Sequence, residues 1–244
     1  MGHPLLAEIF ERIAHTLDHG GMPLLVFDLD GTLFRTGGRH LAVLRDFAAG
    51  ADPALEGIAA LREALPQITP EEFGYFVTDA LAPWGLGGPA LNAALVKHWS
   101  DRYFTSAYCV YDTPAPGALD LVNAVVSAGA VVWYATSRAE PTMGIGTRLS
   151  LQQHDFPLNE RAALAMRGDL AQSDRDFKEA IIAAAAQATL VAQFENEPGN
   201  ANLFATAYPD ALHFLIGDVH SPDAPEPLSS VVHSEDFVLP GAWP

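Results

Sequence analysis

The stretch PLLVFDLDGTLFRTGG, Pro23 to Gly38, carries an apolar run straight into two aspartates one residue apart, with Gly31 and Thr32 directly behind them. An unbroken run of this kind reads as a strand buried on both faces. Two carboxylates at its end resist being ionised together, so their pairing calls for a compensating cation or a shared proton. In an open parallel sheet, residues just past a strand enter the crevice at the carboxyl ends, where ligands bind. Residues two apart on extended chain share a side, and Gly31 allows the backbone to turn before it blocks the space. Asp28 and Asp30 are therefore expected to face one pocket.

Further along, AVVWYAT, ALAM, TLVAQF and LHFLI repeat the style of LLVF. Helical patterns lie between them, over about 117–128, 141–154, 174–187 and 201–207, and another, with Leu6, Phe10, Ile13 and Leu17 in register, precedes the first strand. Strand alternating with helix predicts an α/β fold: a Rossmann-like parallel sheet flanked by helices, with right-handed crossovers. From Thr36 to Asp112 the alternation stops and only helical signals remain. Thr69, Pro70 and Glu72 have capping-box spacing and predict a helix over TPEEFGYFVTDAL, and Leu91, Leu95 and Trp99 mark the face of the next. The expected organisation is a core of 1–35 and 113–244 with an all-helical insertion at 36–112 after the first core strand. The tail beyond Gly217 is rich in proline and acid, with SSVVHS at most a short edge strand.

The chain has 244 residues, 49% of them hydrophobic, enough to bury a full core. Its formal charge of −17 argues against nucleic acid and anionic membranes as partners. Cys109 is the only cysteine, which rules out an internal disulfide. The N-terminus has no basic leader and no run is long enough to span a membrane, so a cytoplasmic location is expected. Oligomeric state is not legible.

The motif VFDLDGTL resembles that of the haloacid dehalogenase-like hydrolases, whose first motif is an apolar strand followed by Asp-x-Asp-x-Thr. The resemblance implies further motifs in order. VVWYATSR supplies Thr136 for the second, with Ser137 and Arg138 beside it, and Thr136 and Ser137 capping the next helix as the alternative. DRDFKEAII supplies Lys178 for the third, one of two lysines in the chain; the alternative is a surface pair with Asp174 one turn back. FENEPGN occupies the fourth, with Glu195, Asn196 and Asn200 where the family usually has acids. GDVHSPD, with Asp218 and Asp223, is a competing site for that motif. An all-helical insertion between motifs one and two corresponds to the family's type 1 cap, expected to act as a lid.

For this family the resemblance implies a Mg²⁺-dependent phosphatase acting on a small phosphorylated metabolite. Asp28 would attack phosphorus and Asp30, protonated when substrate arrives, would donate to the leaving oxygen. Thr136 and Lys178 would offset phosphoryl charge, Gly31, Thr32, Ser137 and Arg138 would contact substrate, and Asp28, Asp30, Glu195 and Asn196 would hold the metal. A phosphomutase or phosphonate hydrolase of the same fold, or a non-catalytic phosphate-binding or scaffold protein, are the alternatives. Two weaker features compete for attention: His15 and His19 at i, i+4 spacing, read as surface groups near a helix end, and GIGT from Gly144, which lacks the full dinucleotide pattern.

Overall fold

The computed structural model describes residues 2–239. Its elements run α1 (Glu8–Asp18), β1 (Pro23–Phe27), β2 (Phe34–Arg35), α2 (Gly37–Gly50), α3 (Ile58–Ala64), α4 (Pro89–Ser100), β3 (Thr113–Pro114) and α5 (Ala118–Ser127). They continue with β4 (Val131–Ala139), α6 (Glu140–Gln153), β5 (Ala162–Arg167), α7 (Asp174–Ala185), β6 (Thr189–Glu195), α8 (Pro198–Ala207), β7 (Leu212–Ile216) and β8 (Val231–Ser234). No helix among the described residues is long and apolar enough to cross a membrane.

Six strands form one sheet in the order β5-β4-β1-β6-β7-β8, every pair parallel. Parallel pairing with helical crossovers covers both faces, which is why the strands are apolar almost throughout. On one face Phe27, Phe194 and Phe214 stack in a row, with ring centroids 4.4 and 4.9 Å apart, and pack with Ile9 and Ile13 of α1 and Leu121 and Val125 of α5. On the other, Leu24 and Val26 meet Phe177 and Ile181 of α7 and Phe204 of α8. The fold is thus a three-layer α/β/α sandwich with β1 near its centre. The SSVVHS segment supplies β8, the edge strand.

The chain divides into two compact units. One holds the sheet and comprises the chain up to Arg35, Pro114–Pro141 and the chain from Leu151 on. The other comprises Thr36–Thr113 together with Thr142–Ser150, so most of α6 belongs with the insertion and not with the sheet. A local reason is visible: Ser106 Oγ donates to Thr142 O at 3.0 Å and accepts from Gly146 N at 3.1 Å. A Cβ on Gly146 would run into the Ser106 backbone, so the glycine of GIGT serves close packing.

The helix expected over TPEEFGYFVTDAL does not form. Glu72 does accept from Thr69 N at 2.7 Å, but the turn it starts is a single 3₁₀ turn, Pro70–Glu72, and a second 3₁₀ segment covers Asp79–Trp84. Burial of Phe73 and Val77 in the insertion's own core, and acceptance of the Phe76 N–H by Asp79 Oδ2 at 2.8 Å, hold the intervening chain out of the helical register. Trp99 and Tyr103 belong to that unit's aromatic packing around His40, whereas Tyr75 and Phe76 are exposed.

Candidate active site

Register decides which residues meet. Phe27 lies level with Tyr134 of β4 and Phe194 of β6, so the next residue on each strand, Asp28, Ala135 and Glu195, stands at one level on the side of the crevice. Asp28 N donates to Phe194 O at 3.0 Å, which carries the ladder one residue beyond β1. Leu24 and Val26 face α7, and alternation puts Asp28 on that same side.

There it meets Lys178. The Nζ donates to Asp28 Oδ1 at 2.8 Å and to Ala135 O at 2.9 Å, and pairs with Glu195 Oε1. Lys178 is 2% exposed, on the same buried face of α7 as Phe177 and Ile181. The surface pair with Asp174 is thereby excluded: a lysine enters such a core only with its charge matched. Burial drives the Asp28 carboxyl above its ordinary range; Lys178 opposes this, and the charges of Asp30 and Asp174 add to it. Glu195 is raised for the same reasons, with Asp28 and Asp174 as its anionic neighbours. One ammonium therefore serves an excess of carboxylate.

Asp30 has a different partner. Arg138, 3% exposed at the end of β4, directs Nε at Asp30 Oδ1 from 3.1 Å and pairs with the same oxygen through NH2. A buried guanidinium thus fixes the orientation of the Asp30 side chain. Thr136 Oγ1 accepts from Arg138 N at 3.3 Å, which leaves the hydroxyl proton for another acceptor. Ser137 points to the α7 side and donates to Asp174 Oδ1, so its hydroxyl proton is committed. Thr32 Oγ1 is buried without a partner among the described residues. Gly31 has φ +75°, and a Cβ there would lie 2.5 Å from Asn196 Nδ2, so the first and fourth motif loops touch at a place only glycine fits.

In the fourth segment, Asn196 Nδ2 donates to Val219 O at 2.9 Å, and Glu197 accepts from Ser221 N and Oγ at 2.9 and 2.8 Å. These two residues tie the loop to the tail. Asp218 is outside the cluster: its side chain is 89% exposed and pairs with His233 at 3.0 Å. His15 and His19 lie ring to ring at the end of α1, with His19 Nδ1 2.8 Å from His15 O, a helix-end arrangement. Sequence reasoning placed Asp174 one turn from Lys178 as a surface partner, whereas it accepts hydrogen bonds from Ser137 and Asn200 instead.

Among the described residues no three His, Cys, Asp or Glu side chains stand together as a ready metal cage. The donor chemistry nevertheless suits a hard divalent cation: the side chains at the rim offer only carboxylate oxygens, and Lys178 engages one oxygen of each acid.

No family model matches the chain. No curated protein matches it. Solved structures do. A putative phosphatase from Clostridium difficile superposes with a TM-score of 0.51 at 13% identity, over 87% of this chain and 94% of that one. A HAD-superfamily hydrolase from Ehrlichia chaffeensis gives 0.51 at 12% identity, over 88% and 91%. CbbY from Rhodobacter sphaeroides, solved with phosphate, gives 0.47 at 19% identity, over 88% and 94%. The chain has the haloacid dehalogenase-like hydrolase fold.

Proposed function

We propose that the protein is a Mg²⁺-dependent phosphatase that hydrolyses a small phosphorylated metabolite through an aspartyl-phosphate on Asp28. The observation that carries this reading is the joint hold of Lys178 on Asp28 and Glu195 at the carboxyl ends of adjacent strands. A lysine so placed keeps Asp28 ionised for attack and offsets charge on the phosphoryl oxygens. Thr136 donates its hydroxyl proton to one of those oxygens. Arg138 orients Asp30, which, protonated when substrate arrives, gives its proton to the leaving oxygen and then, as the carboxylate, takes one from the water that cleaves the aspartyl-phosphate. Mg²⁺, held by Asp28, the Asp30 carbonyl and Glu195, with Asn196 Oδ1 in reserve, would supply positive charge against the phosphoryl group.

The test is phosphate release from an aryl phosphate with Mg²⁺ and with EDTA, by the wild type and Asp28→Asn. Mg²⁺-dependent release by the wild type alone is the expected result. Absence of release by the wild type, or equal release by the folded variant, would overturn the reading.

A further inference from the structure

Asp174 is the first residue of α7, capped by Ser173, whose Oγ accepts from Asp176 N at 3.0 Å. Neither carboxylate oxygen is idle. Oδ1 accepts the hydroxyl of Ser137 from β4, and Oδ2 accepts Asn200 Nδ2 at 3.0 Å from α8. Asn200 is 8% exposed, and its amide hydrogen-bonds this carboxylate across 26 positions of chain. The residue thus joins the segments that carry Thr136, Lys178 and Glu195. A helix N-terminus favours a carboxylate at this point.

Resting on the phosphatase reading above, we infer that Asp174 is a positioning residue that supplies the third negative charge of the cation site at one remove, with Asn200 as its neutral partner. An acid at position 200, where the fourth motif raises the expectation of one, would set two carboxylates within hydrogen-bond distance. The same pair works with its members exchanged: an amide on α7 and an acid on α8 keep one charge and one N–H···O bond. Both Asp174 oxygens are engaged, so it contributes charge and orientation to the site and no ligand atom. It stands one helical turn from Lys178, which holds both Asp28 and Glu195.

The exchange is the experiment. Mg²⁺ alone is titrated into wild type, Asp174→Asn, Asn200→Asp and the double exchange by calorimetry, with the melting temperature of each measured in EDTA. Asp174→Asn should raise the Mg²⁺ dissociation constant about tenfold, the scale of one lost unit of site charge. The double exchange should return it to within about threefold of wild type. Asn200→Asp should melt below wild type without Mg²⁺. Wild-type affinity in Asp174→Asn, no recovery in a folded double exchange, or no Mg²⁺ binding by the wild type would each overturn the inference. A purely structural Asp174 would lower the melting temperature and leave the affinity of the folded protein unchanged. Because binding is read without substrate, a wild type that binds Mg²⁺ but hydrolyses nothing would refute the phosphatase reading and leave this one standing.

Discussion

Lys178 and Asp28 lie 150 positions apart in the chain and 2.8 Å apart in space, and the same ammonium pairs with Glu195. This one cation makes the acidic rim of the sheet compatible with a folded core.

Lys178→Met should therefore leave two buried carboxylates without a counter-charge and cost about 3–5 kcal/mol at neutral pH. Both acids have raised affinity for protons in the fold. The folded variant then binds more protons than the unfolded chain, so its stability should rise as pH falls from 8 toward 5. Urea denaturation across that range reads this directly; a variant as stable as wild type at pH 8 would contradict it.

Arg138 and Asp30 give a kinetic prediction. Without the guanidinium, Asp30 loses the partner that orients its carboxyl, so in Arg138→Gln kcat should fall by about ten- to a hundredfold. A kcat within about twofold of wild type in the folded variant would separate Arg138 from the positioning of Asp30.

Glu195 and Asp218 competed as the fourth-motif acid, and their surroundings now differ sharply. Asp218→Asn, at an exposed position beside His233, should leave the Mg²⁺ requirement unchanged. Glu195→Gln should raise it by about tenfold or more. The reverse pattern in a Mg²⁺ titration of activity would move the site to the tail loop.

The insertion carries its own electrostatic staple. Arg39 and Asp112, both fully buried, form a two-pronged pair of 2.8 and 2.5 Å, with the guanidinium 4.7 Å over the ring of Tyr103. Asp112→Asn should cost about 3–5 kcal/mol because it removes the carboxylate charge that faces a buried guanidinium. Calorimetric melting of the full chain tests this, and a loss below about 1 kcal/mol would contradict it.

Much of the fold was legible because β1, β4, β6 and β7 are continuous apolar runs whose order needs no distant information. Asp28 and Asp30 stood out by their position after such a run, and Lys178 by the scarcity of lysine. The pairings were not legible. That Arg138 holds Asp30 and Asn200 holds Asp174 depends on which strands are neighbours and on which face each residue emerges. The assignment of Thr142–Ser150 to the insertion's unit was equally hidden, since α6 reads locally as one ordinary crossover helix. Residues 70–84 misled for the opposite reason: their capping signal is genuine, but packing of Phe73 and Val77 outweighs it.

The central claim is that Asp28 is phosphorylated during turnover. Acyl phosphates are reduced by borohydride to alcohols whereas free carboxylates are not, so the protein is mixed with an aryl phosphate and Mg²⁺, quenched into borohydride, digested and mapped by mass spectrometry. The account predicts homoserine at position 28, dependent on the phosphate ester and on Mg²⁺, with Asp30 intact. Unmodified Asp28 in an enzyme trapped while it is turning over, or reduction at Asp30 instead, would contradict it.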